Sequence, residues 1–74
     1  MLDFRGVFEY KKQRFTGYSI GLITLDIRKD LIEVEVLYHL NNKKGFVVYK
    51  HPFIVEDGDV DIDMLLDKIY KLHY

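Results

Sequence analysis

Seventy-four residues with a net charge of −1, 49 % of them apolar and none of them cysteine, describe one domain spanning residues 1–74. This composition argues against a disordered chain, a disulfide or thiolate-zinc scaffold, and a strongly basic nucleic-acid binder. No apolar run approaches the roughly 18 residues of a membrane span. Met1-Leu2-Asp3-Phe4-Arg5 has no positive region followed by an apolar core, so a cytoplasmic protein without a secretory signal is expected.

Residues 2–10 read as the first strand. Leu2, Phe4, Phe8 and Tyr10 fall on one parity and Asp3, Arg5 and Glu9 on the other, with Gly6 marking a bulge or a close backbone approach. Lys11-Lys12-Gln13-Arg14 is a basic break of hairpin length. The second strand, residues 15–27, switches parity: Tyr18 and Ile20 are even, Ile23, Leu25 and Ile27 odd. A bulge near Gly21 puts all five on one face; the alternative is a strand covered on both sides. After a charged break at residues 26–30 the third strand alternates well. Ile32, Val34, Val36, Tyr38 and Leu40 share one face, and Glu33, Glu35 and His39 the other.

Asn41-Asn42-Lys43-Lys44-Gly45 has strong turn chemistry, because Asn and Gly tolerate positive φ. Residues 46–55 form a fourth strand. Pro52 has no N–H to give a ladder, so this strand, or its last part, belongs at an edge. Beyond Glu56-Asp57-Gly58-Asp59 the period becomes helical, through Ile62, Leu65, Leu66, Ile69 and Leu72. Asp61 is the expected N-cap; Asp63 near the start and Lys68, Lys71 and His73 near the end match the helix dipole. Leu65, Leu66 and Ile69 are expected to be buried. The fold class is therefore α+β, a four-stranded antiparallel meander with one C-terminal helix on one face. That β-β-β-β-α order is similar to the fold of the single-stranded-DNA-binding transcriptional coactivators. The likeness lies in topology alone, and no residue is carried across.

In such a meander the first and third turns share one end of the sheet, and the helix returns towards it. Lys11, Lys12, Arg14, Lys43, Lys44, Lys68 and Lys71, seven of the eleven basic residues, then form a candidate anion or single-stranded nucleic-acid contact. Tyr10, Phe15, Phe46, Tyr49, Tyr70 and Tyr74 are expected near the same end, either as base-stacking rings or as the bulk of a thin core.

No reaction is proposed by the motifs. Counted from Asp57, an EF-hand needs Gly at its sixth position and Glu at its twelfth; this chain has Ile62 and Lys68. His39, His51 and His73 show no ligand spacing and are expected at the surface or half-buried. Ser19, the only serine, lies mid-strand outside any nucleophile elbow. The glycines form neither a phosphate loop nor a dinucleotide fingerprint. The expectation is a non-enzymatic binding module without cofactor or metal, a small regulator or inhibitor acting through protein–protein contact, with single-stranded nucleic-acid binding as the alternative. Because one helix covers one face only, apolar residues such as Val7, Leu31 and Leu37 on the other suggest a homodimer.

Overall fold

The computed structural model describes residues 3–40, 45–55 and 60–74. Four antiparallel strands, β1 (Asp3–Tyr10), β2 (Gln13–Asp26), β3 (Leu31–Leu40) and β4 (Phe46–Ile54), lie side by side in chain order, and one helix, α1 (Ile62–His73), follows. The meander and its C-terminal helix are as the hydrophobic periods require. Leu2, Lys43, Lys44 and Asp57, which entered the sequence argument, lie outside the described residues.

The first hairpin is tighter than expected. Tyr10 pairs with Gln13 and Glu9 with Arg14, so Gln13 and Arg14 belong to β2 and only Lys11 and Lys12 make the turn. Both lysines have positive φ, 52° and 62°. That is the geometry of a type I′ turn, whose twist matches the strands it joins, and here it is held without the usual Asn or Gly.

Three register shifts bend the sheet. One lies between Arg5 and Phe8 on β1, at Gly6, and one near Thr16 on β2. The third lies between Ile20 and Ile23, at Gly21. The Gly21 bulge does what the parity switch demands: Tyr18, Ile20, Ile23 and Leu25 stand opposite Tyr38, Val36, Val34 and Ile32 on one face. Ile27 does not join them. The strand stops at Asp26, whose Oδ1 accepts the Arg28 and Lys29 N–H groups at 3.1 and 3.3 Å, and Ile27 is left exposed in the turn. β4 is an edge strand, and its Pro52 lies opposite Glu33.

Asp61 caps α1 as expected, its Oδ1 accepting the Met64 N–H at 3.2 Å. Leu65, Ile69 and His73, spaced four apart, form the stripe aimed at the sheet; the first two are buried and His73 half-buried. Leu66, expected to be buried, is only half-buried, because one step round the helix places it at the margin of that stripe. Tyr74 ends the helix against β1, its hydroxyl donating to the Gly6 carbonyl at 2.8 Å. A Cβ at Gly6 would meet the Tyr74 ring at 2.9 Å, so glycine is needed there for the close approach. The core beneath α1 consists of Phe8, Phe15, Tyr18, Ile20, Ile32, Val34, Val36, Tyr38, Leu65 and Ile69.

Candidate functional site

Two constellations stand out, one on each face of the sheet. Under the last turn of α1, three residues distant in sequence meet at one oxygen. Tyr38 projects inward from β3, His51 from the same face of β4, and His73 ends the buried stripe of α1. The Tyr38 Oη lies 2.7 Å from His51 Nε2 and 2.7 Å from His73 Nε2. Aromatic rings wall the group: Phe8 stacks on His73 at 4.6 Å between centroids, and Tyr10 stacks on Tyr38 at 5.2 Å.

A phenol has one proton, so one imidazole accepts from Tyr38 and the other donates to it. His73 Nδ1 is buried without a partner, as is the Tyr18 hydroxyl. Leaving a bare lone pair at Nδ1 is less costly than leaving an N–H there. The network therefore runs from His73 Nε2–H to Tyr38 Oη, and from the Tyr38 O–H to His51 Nε2, an assignment made from hydrogen bonding.

Electrostatics keeps every member neutral near pH 7. Burial, then the neighbouring His51, pushes His73 down from 6.5 to about 4. Burial, then the Lys11 ammonium, also lowers His51. Burial raises the Tyr38 hydroxyl well above its ordinary range, with Tyr10, Tyr18 and Tyr49 adding to the effect. Tyr18 is pushed up to about 12, by burial first and then by Tyr74 and Tyr70. Among the described residues no group of three or more His, Cys, Asp or Glu could hold a metal ion, and this cluster contains two histidines and a tyrosine.

On the open face, away from the helix, Phe46, His39, Gly17 and Arg5 form one cross-strand row, and Val48, Leu37, Ser19 and Asp3 the next. Ser19 Oγ lies 2.7 Å from His39 Nε2. Ser19 is buried and sits mid-strand, and its bond to His39 ties β2 to β3; among the described residues no carboxylate bonds to His39. Phe46, Val48 and Ile54 are 56, 45 and 77 % exposed, and Leu31 and Leu37 beside them are half-buried. Charges of both signs share the face: Arg5 and Lys50 against Asp3, Glu33 and Glu35, with Lys50 Nζ 3.8 Å from Glu33.

Of the basic residues singled out in the sequence, Lys11, Lys12 and Arg14 are exposed together at the first turn. Lys11 Nζ sits 4.4 Å from the Tyr49 ring and 5.7 Å from that of Tyr10. The helix does return towards this end, since His73 meets Tyr10, the last residue of β1. Lys71, however, bonds Asp67 at 2.9 Å. Lys68 does not reach the basic end: its Nζ lies 6.0 Å from the Phe53 ring, and Phe53 pairs with Ile32 near the start of β3. The rings disperse as well. Phe15 is buried, Tyr10 and Tyr49 are half-buried in the core, and Phe46 is on the opposite face.

The convergence of Tyr38, His51 and His73 was not found from spacing. A signal was present in their parity: His51 alternates with Val47, Tyr49, Phe53 and Val55, and His73 follows Ile69 by four, so both point inward. No family model, curated protein or solved structure matches the chain. Among the described residues no helix is long and apolar enough to cross a membrane.

Proposed function

We propose that this chain is a non-enzymatic protein-interaction module, a small regulator or inhibitor in kind, and that it works through the open face of its sheet. The observation that carries this reading is the exposed pair Phe46 and Val48 beside Leu37, with charged residues along the same face. Large apolar side chains exposed side by side on a sheet mark interaction sites. The first partner is a second copy of the chain. A two-fold contact must be complementary to itself, and Arg5 and Lys50 share this face with Asp3, Glu33 and Glu35. Sedimentation velocity across micromolar concentrations tests it. The wild type should pass from monomer to dimer, and Phe46→Ser with Val48→Ser, both at exposed positions, should keep it monomeric. A wild type that stays monomeric throughout overturns the reading.

A second reading, single-stranded nucleic-acid binding, is favoured by one observation: Lys11 stands against the Tyr10 and Tyr49 rings at the turn that also carries Lys12 and Arg14. Oligonucleotide binding that falls steeply with salt, and is lost in Lys11→Glu with Lys12→Glu, would support it; no binding at low salt removes it.

A further inference from the structure

We propose that β2 accepts an extended segment of another protein along its outer edge at residues 22–26, and that this segment alternates apolar and basic side chains. The site does not include Phe46 or Val48, so it stands independently of the open-face contact.

The open edge follows from unequal strand lengths. β2 has 14 residues and β1 has 8. β1 is described from Asp3, which pairs with Ser19, whereas β2 continues beside β3 to Asp26, opposite Leu31. Among the described residues nothing pairs with the far side of residues 22–26. Burial falls where β1 stops: residues 17–20 are buried, whereas Leu22, Thr24 and Leu25 are exposed. An unpaired edge offers its N–H and C=O groups to another strand, and proteins protect such edges with charge, proline or bulges. β1 has its bulge at Gly6 and carries Asp3, Arg5 and Glu9, and β4 carries Lys50 and Pro52. On β2, Leu22-Ile23-Thr24-Leu25 has neither charge nor proline.

Side-chain parity sets what the segment must carry. Ile23 and Leu25 stand opposite Val34 and Ile32 on the helix side, so alternate residues of an added strand meet apolar neighbours there. Leu25 is 50 % exposed and Ile23 half-buried, which leaves both with apolar surface to cover. The intervening residues emerge on the open face, where the neighbours are acidic. Asp3 and Asp26 bound the open edge at its two ends. Glu33 pairs with Thr24, and a Cβ at Gly21 would lie 2.9 Å from the Glu35 carboxylate. Of these four, only Glu33 makes an ion pair among the described residues, with Lys50 at 3.8 Å. Arg5 is opposite Gly17, away from the open edge. Asp3, Asp26 and Glu35 are therefore available to cations on the incoming strand, whose stems can lie across Leu22, 66 % exposed. Strand addition of this kind draws affinity from the main chain and specificity from alternate side chains.

The test uses a blocked synthetic peptide of about seven residues alternating lysine and valine, labelled for fluorescence anisotropy and titrated with the full chain. Binding should saturate, weaken with salt, and protect the amides of residues 22–26 from hydrogen exchange. A peptide alternating glutamate and valine should bind at least about ten-fold more weakly. N-methylating the valines in one peptide and the lysines in another should abolish binding in only one, because a ladder uses every second N–H. Leu22→Lys, at an exposed position, and Asp3→Asn with Glu35→Gln should each weaken binding about ten-fold. Phe46→Ser with Val48→Ser should leave it unchanged. No saturable binding, equal binding of the two N-methylated peptides, or protection of residues 22–26 by a second copy in concentrated protein alone overturns the proposal.

Discussion

Acid should unfold this protein through His73. The unfolded imidazole titrates near 6.5 and the folded one near 4, lowered by burial first and then by His51. Between those values the unfolded chain binds the extra proton, so stability is complete above 6.5 and is lost as pH falls through 4. Linkage for that single group gives about 2.5 kcal/mol between about pH 7.5 and about pH 4.5. Water reaches part of the half-buried ring, so about 2 kcal/mol is the expected loss, a large share of a total of about 5–15 kcal/mol. His51 shifts in the same direction and adds to it. Urea unfolding followed by far-ultraviolet circular dichroism measures the change. His73→Gln keeps an amide donor for Tyr38 and removes the titration, so the difference between the two proteins isolates the effect. An identical pH dependence in both, or a wild type more stable in acid, would refute the neutral-network assignment.

The remaining predictions concern packing. Ile69→Ala, at a fully buried position on the docking stripe, should lower stability by about 2–5 kcal/mol. Leu66→Ala should cost clearly less because Leu66 is only half-buried; equal losses would mean that the helix is rotated about its axis relative to the structure. Gly17→Ala should be far more damaging than Gly21→Ala, which a pair of thermal melts would show. A Cβ at Gly17 collides with the backbone oxygen of Phe4, whereas at Gly21 it meets the mobile ends of Leu37 and Glu35, at 2.7 and 2.9 Å.

Most of the architecture was legible because it rests on local rules. Alternation on β3, the glycine at the parity switch on β2, the ring of Pro52 and the carboxylate of Asp61 each act over a few residues, and each places its element correctly. The first turn was misread because Lys11-Lys12 lacks the Asn or Gly that announces a type I′ turn; the twist of β1 and β2 imposes positive φ on residues that would not choose it. The polar cluster was illegible for a different reason. Parity says that Tyr38, His51 and His73 all face inward, but whether their tips meet depends on the crossing of α1 over the sheet and on the lean of one tyrosine. Neither is encoded in any spacing, and the same holds for the open-face bond between Ser19 and His39.

The bond from Tyr74 to Gly6 joins residues 68 apart. Every strand pairing in the meander, by contrast, joins neighbours in the chain, so the sheet can zip together as it leaves the ribosome. Its apolar face then waits uncovered until α1 has been synthesised, with Phe8, Tyr18 and Tyr38 open to whatever is near. During that interval the nascent chain exposes two sticky faces instead of one. The helix therefore decides whether the strands made before it are protected.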